Sequence, residues 1–152
     1  MHRLILVFSS NFGLGYFPAA PGTIGTLAGI PAFYLLARLH PFGRGAALLA
    51  LLLFSFWIAG QAGKIYGVVD DKRIVIDELV GYLVGVVWLP FSWPVAVSGF
   101  VLFRFFDILK PPPVSWLDRN IKNGFGVVLD DVMAGIYTAA VLYLTLPILK
   151  NF

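Results

Sequence analysis

The run GAALLALLLFSFWIAGQA, residues 45–62, carries no charged side chain, and a second uncharged run of the same length, VMAGIYTAAVLYLTLPIL, occupies 132–149. An α-helix rises 1.5 Å per residue, so about 20 apolar residues cross the hydrocarbon core of a bilayer. Both runs approach that length. In water they would need a polar shell that the chain lacks. It is 59% hydrophobic, with a mean hydropathy of +0.87, and 12% of its residues are charged. Soluble domains average about 25% charged. The chain therefore reads as a polytopic membrane protein, and 152 residues suit a single integral-membrane domain over 1–152. The first residues, MHRLILVFSSNFGLGYF, have a short apolar run but not the typical apolar region and small-residue cleavage site expected of a secretory leader.

Three more apolar segments lie at 23–39, 79–90 and 93–106. The last two are short and meet at LPFSWP, which predicts a shallow helical hairpin or one that dips into the bilayer and returns. In lipid every backbone polar group must be satisfied within the segment or by a closed barrel. No segment alternates as a barrel strand does. The fold class is therefore all-α, a polytopic helical membrane bundle with short or re-entrant helices. The pairs Gly25/Gly29, Gly63/Gly67 and Gly81/Gly85 sit at helical spacing and predict close helix contacts. Trp57, Trp88 and Trp93 suit an interfacial belt or ordinary lipid-facing positions.

Charge adds a direction. If the segments alternate across the bilayer, one side receives Arg3, Lys64, Lys72, Arg73, Arg104, Lys110, Arg119 and Lys122, and the other Arg38, Arg44 and Lys150. The positive-inside bias then puts the first group in the cytoplasm. Every acid falls on that same side: Asp70, Asp71, Asp77, Glu78, Asp107, Asp118, Asp130 and Asp131.

Most of these acids adjoin apolar helices. Asp77 and Glu78 precede LVGYLVGVVWL, Asp107 follows VLFRFF, and Asp130 and Asp131 precede VMAGIYTAAVLYL. A charged residue at the centre of a membrane helix costs roughly 2.5–3.5 kcal/mol on insertion scales, and less near the interface. A hard divalent cation offsets that cost. Mg²⁺ favours carboxylate oxygen, retains water and takes phosphate as a co-ligand. The chain has no cysteine, and only His2 and His40 as histidines, which argues against zinc. Alternatively, Asp77–Glu78 and Asp130–Asp131 are helix caps favoured by the helix dipole. Asp118 next to Arg119 reads most simply as a solvated ion pair, and Asp70–Asp71–Lys72–Arg73 as a charged loop.

Basic groups flank the acids. Arg104 and Lys110 lie three residues either side of Asp107, and Pro111–Pro113 end the helix there. Both are candidates to hold phosphate, although Lys110 suits snorkelling and Arg104 suits pairing with Asp107. The stretch GYFPAAPGTIGTLAG opens a helix with glycines, and Thr23 and Thr26 add hydroxyl donors for an anion.

The segments GYFPAAPGTIGTLAGIP, DDKRIVIDELVG, FRFFDILKPPP and GVVLDDVMAG resemble, in order and spacing, the motifs of the phosphatidylglycerophosphatase A family, from about Gly15 to Tyr137. The resemblance implies an all-helical, Mg²⁺-dependent lipid phosphatase of the bacterial inner membrane that converts phosphatidylglycerophosphate to phosphatidylglycerol. It places Asp70, Asp77, Glu78, Asp107, Asp130 and Asp131 in the metal-binding acidic motifs, and Arg104 and Lys110 in the basic part. Asp118 and Arg119 fall where relatives often read D-R, which adds Arg119 to the substrate-binding set. Asp71 and Pro112 depart from the usual pattern. The expected chemistry is attack by metal-activated water, with Asp77 or Glu78 as base and Arg104 and Lys110 on the phosphate. Asp107, Asp130 and Asp131 complete the catalytic acids. A small cation transporter or channel, with the acids as an ion path, is the competing expectation. An assembly factor is a third.

Overall fold

A computed structural model of the chain describes residues 1–149, with side chains to residue 147. The expected position of Lys150 lies outside the described residues. The elements are α1 (His2–Ser9), a 3-10 turn (Leu14–Tyr16), α2 (Pro21–Leu27), α3 (Gly29–Leu36), α4 (Pro41–Tyr66), α5 (Ile76–Val86), α6 (Trp93–Leu109), α7 (Val114–Asn120) and α8 (Gly124–Leu149). Among the described residues there is no strand. Two helices are long and apolar enough to cross a membrane, over Pro41–Tyr66 and Gly124–Pro147. The all-α membrane bundle expected from the sequence is the fold observed.

Local chemistry sets the boundaries. Pro41 occupies the first turn of α4, and Gly67, at φ 74°, ends it in the left-handed region that suits glycine. The Ser92 hydroxyl accepts from the Val95 N–H at 3.3 Å and caps α6. Lys110 closes α6, and Pro111–Pro113 prevent its continuation.

Segment 23–39, expected as one apolar run, is two short helices that meet at Ala28. Pro31 has no N–H to donate to the Leu27 carbonyl, which weakens the helix there. The larger difference concerns α8. It begins at Gly124, eight residues before the apolar run, because Asn123 Oδ1 accepts from the N–H groups of Phe125 and Gly126, each at 3.0 Å. Asp130 and Asp131 are thus well inside the helix, and their reading as its caps is corrected.

The helix α5 is the centre of the bundle and packs against α2, α3, α4, α6 and α8. Its eleven residues measure roughly 16 Å, about half a hydrocarbon core. Glycines bring it against α8. A Cβ on Gly81 would lie 2.7 Å from the Asp131 carbonyl oxygen, and one on Gly85 would lie 2.9 Å from the Thr138 methyl. Contacts at Gly81/Asp131 and then Gly85/Thr138 show that the two helices run in parallel. Both therefore start at the same end of the bundle. The helix α6 returns the other way: Gly99 packs on Val86 and Leu142, and Asp107 comes back to Asp131. Of the expected glycine pairs, Gly63 packs on Val69, whereas Gly67 meets nothing within 4 Å and serves as the helix end.

Tyr82, Leu83, Val86, Phe33, Phe103 and Leu142 form the main core. Ile58, Ala62, Ile76, Val80 and Val128 form a second core toward the acidic end. Leu49, Leu53, Trp57, Val97, Val101, Ile136 and Leu144 face outward. An apolar exterior of this kind matches lipid, not water.

Candidate metal centre

The parallel start of α5 and α8 brings together acids about fifty residues apart. Asp77 and Glu78 lie in the first turn of α5, and Asp131 lies on the α8 face that Gly81 admits. One carboxylate oxygen from each of Asp77, Glu78 and Asp131 falls within 4.8 Å of the others. Asp77 and Asp131 are buried, at 5% and 4% exposure. The Asp107 carboxylate, from α6, faces Asp131 and Glu78. Of the six acids expected at a metal centre, Asp77, Glu78 and Asp131 thus lie together, and Asp107 of α6 stands next to Asp131.

Buried like charges at this spacing repel strongly in a medium of low dielectric constant. One cation is supplied by the chain itself: Arg104 pairs with Asp107 one turn away on α6. The same guanidinium lies by Glu78, because a Cβ on Gly22 would collide with Glu78 Oε1 and come to 3.4 Å from an Arg104 terminal nitrogen. Gly22, at the start of α2, thus closes the back of the site. Sequence reasoning gave this stretch a packing role at Gly25 and Gly29 but did not single out Gly22.

Among the described residues, two buried side-chain polar atoms remain without a partner. Glu78 Oε2 and Arg104 Nε are both buried, and neither makes a hydrogen bond. Buried polar atoms are nearly always paired, so two orphans on side chains that both reach Gly22 fit a site that takes a ligand. Glu78 Oε2 needs a cation or donor, and Arg104 Nε needs an acceptor. An all-oxygen carboxylate set fits a hard divalent ion.

The other expected site residues are placed as follows. The Lys110 ammonium donates to Asp130 at 2.5 Å and to Asp118 at 3.0 Å. Burial disfavours its charge, but the two carboxylates more than offset this and hold its pKa above the usual range. Asp118 therefore pairs with Lys110 and not with Arg119, which corrects the expected Asp118–Arg119 pair. Arg119 is exposed in the last turn of α7. Asp70 is on the exposed loop before α5, within the field of Lys110 and Asp118. Asp71 does not join the centre: Arg73 Nε and Nη2 donate to it at 2.7 and 2.8 Å. Those bonds hold its carboxyl below the ordinary range. Thr26 is buried and donates to the Gly22 carbonyl at 2.9 Å, while Thr23 is half-buried.

Sequence reasoning also missed what fixes α5 in place. Asn11 Nδ2 donates to the Val75 carbonyl at 2.8 Å, and the Val75 N–H donates to the Ser9 carbonyl at 2.8 Å. Val75 immediately precedes α5, so this clamp sets where Asp77 and Glu78 begin. A buried asparagine just after an apolar helix was the only signal available.

Fold and site together define a class: a helical membrane protein with a buried carboxylate centre, suited to a metal ion, at one end of its bundle. The chain belongs to the phosphatidylglycerophosphatase A family, whose sequence model matches residues 7–146. It is 39% identical to phosphatidylglycerophosphatase A of Escherichia coli over 134 residues, covering 88% of this chain and 78% of the relative. It is 38% identical to phosphatidylglycerophosphatase A of Haemophilus influenzae, covering 91% and 86%. It is also 38% identical to a Bacteroides thetaiotaomicron protein named provisionally as a phosphatidylinositol-3-phosphatase, covering 89% of each. No solved structure matches the chain at a significant level. The chain is thus a phosphatase of phospholipid metabolism.

Proposed function

We propose that the chain hydrolyses phosphatidylglycerophosphate to phosphatidylglycerol and inorganic phosphate at the cytoplasmic face of the bacterial inner membrane, with Mg²⁺ as cofactor. The observation that carries this reading is the pair of orphaned buried atoms, Glu78 Oε2 and Arg104 Nε, on two side chains that both reach Gly22. One calls for a cation and the other for an anion, and a phosphomonoester with its metal supplies both.

Asp77, Glu78 and Asp131 would hold the ion, with Asp107 beside Asp131. Mg²⁺ bound there neutralises phosphate oxygens and makes a water molecule more acidic. Arg104 receives the phosphate through its unpaired Nε–H while its other edge stays on Asp107. Asp77 or Glu78 takes the proton of the attacking water. The water oxygen bonds to phosphorus, the ester oxygen leaves as the glycerol hydroxyl after protonation, and phosphate is released. Lys110 already serves two carboxylates, so its role is to orient Asp130 and Asp118. Asp70, Thr23 and Arg119 sit outside this inner set, where they meet the headgroup or solvent. The acyl chains stay beside the apolar outer faces of the helices.

Phosphate release by the purified protein tests the reading. Mg²⁺ supports turnover, EDTA abolishes it, and Asp77→Asn, Asp107→Asn and Asp131→Asn lose at least 100-fold while remaining folded. Full turnover in EDTA rejects the metal. Phosphatidylinositol 3-phosphate belongs in the same assay, because one relative carries that name; faster turnover of it replaces the substrate assignment and leaves the chemistry intact.

A further inference from the structure

A recess of about 460 Å³ opens between the end of α4 and the start of α8, apart from the carboxylate centre. Its origin is a close helix crossing. A Cβ on Gly124 would collide with the Gly60 backbone, so α4 and α8 touch there. Toward the acidic end Gly60, Gly63 and Gly67 contribute no side chains to fill the space. Phe125 forms a wall and is braced by Phe56, with stacked rings 4.5 Å apart.

Two cations, Lys64 and Lys122, line this recess with Asn123. Among the described residues neither lysine has a carboxylate within 4.0 Å, although Lys110, Arg73 and Arg104 all do. Two exposed lysines lining an otherwise apolar recess, neither with a carboxylate within 4.0 Å, suit an anion. Below the recess the outer face of α4 carries Leu49, Leu53 and Trp57, exposed at one-turn spacing. Such a stripe offers an acyl chain a flat apolar track. The volume lies within the range of small-ligand pockets, about 300–1,000 Å³. A charged head over a long apolar track is the shape of an anionic lipid, not of a free phosphate ion.

We propose that the recess between α4 and α8 holds the phosphodiester of an anionic glycerophospholipid, with Lys64 and Lys122 on the phosphate and its acyl chains along Leu49, Leu53 and Trp57. The lipid is either the substrate, held by the diester it keeps after hydrolysis, or a neighbouring anionic lipid of the bilayer. A second recess, of about 220 Å³, shares Val69 and Lys122 with the first and is lined also by Asp70 and by Asp118, the partner of Lys110. The lipid site thus adjoins a recess that reaches the Lys110–Asp118 pair, outside the carboxylate centre. The binding claim stands without the proposed reaction; only its effect on turnover rests on that reading.

The test is titration of the full-length protein, in neutral detergent with EDTA, with short-chain phosphatidylglycerol and phosphatidylcholine. Wild type is expected to bind phosphatidylglycerol at least ten-fold more tightly. The Lys64→Gln/Lys122→Gln double variant is expected to lose that preference, and Lys64→Arg/Lys122→Arg to keep it. No preference in wild type, or an unchanged preference in the Gln variant, overturns the proposal. Because neither titrated lipid carries a phosphomonoester to hydrolyse, a failed phosphatase reading leaves this result untouched. Kinetics with Mg²⁺ then separate the two sources. A KM for phosphatidylglycerophosphate about ten-fold higher in the Gln variant, with kcat retained, identifies the substrate. Stimulation of wild type alone by added phosphatidylglycerol identifies a neighbouring lipid.

Discussion

The Lys110 ammonium lies 2.5 Å from the Asp130 carboxylate, twenty residues away in sequence, and ties the end of α6 to the body of α8. Asp130 is buried and Lys110 is about 29% exposed in its side chain. Removing the cation leaves a buried carboxylate without its partner. Lys110→Met is therefore expected to destabilise the protein by roughly 1.5–3 kcal/mol, the range for hydrogen bonds to charged groups. Adding Asp130→Asn should recover part of that loss. Thermal unfolding of the two single variants and the double variant in detergent measures the coupling, and strictly additive losses would count against the pair.

The contact between α5 and α8 depends on the absence of side chains at Gly81 and Gly135. A Cβ on Gly81 would lie 2.7 Å from both the Asp131 carbonyl oxygen and the Phe103 ring. Gly81→Ala is expected to cost about 1–3 kcal/mol, as overpacking does. It should also lower activity more than stability, because the displaced backbone is that of Asp131. Gly67→Ala, at a position with open space around it, makes the contrast: it strains a positive φ without moving an acid. Its kcat should stay close to wild type.

The Asp71–Arg73 pair predicts a pH effect outside the membrane-embedded helices. Arg73 holds the Asp71 carboxyl below its ordinary value, and the guanidinium also stacks on Tyr66 at 3.8 Å. A carboxyl whose folded pKa is depressed contributes stability that is complete above the unfolded value, about 3.9. That contribution is lost as pH falls through the lower folded value. Asp71→Asn should therefore be less stable than wild type at pH 7 and converge with it as the pH drops below about 4. A difference that persists unchanged at low pH would contradict the pair's electrostatic origin.

Much of this architecture was legible in the sequence. Uncharged runs gave the two long helices, and the confinement of acids to 70–131 gave a one-ended site. Carboxylate oxygens of Asp77, Glu78 and Asp131 lie within 4.8 Å of one another, with Asp107 next to Asp131. What escaped was set by contacts that composition does not encode. The start of α8 moved because one asparagine caps it eight residues upstream of the apolar run. The partner of Asp118 proved to be Lys110 and not its neighbour Arg119, because α7 folds back toward the end of α6. Val75 is held by Asn11 across 64 positions, a pairing with no periodicity to reveal it. Local patterns identify helices, whereas the choice of partner among several charges is made only when the helices pack.

The central claim is that acids from α5 and α8 share one divalent ion. Mn²⁺ binding, followed by electron paramagnetic resonance on the purified protein and competed with Mg²⁺, tests it most directly. The expected result is one tight Mn²⁺ that Mg²⁺ displaces, and that Asp77→Asn on α5 and Asp131→Asn on α8 each abolish. Retention of that ion by Asp131→Asn at wild-type affinity would contradict the shared centre.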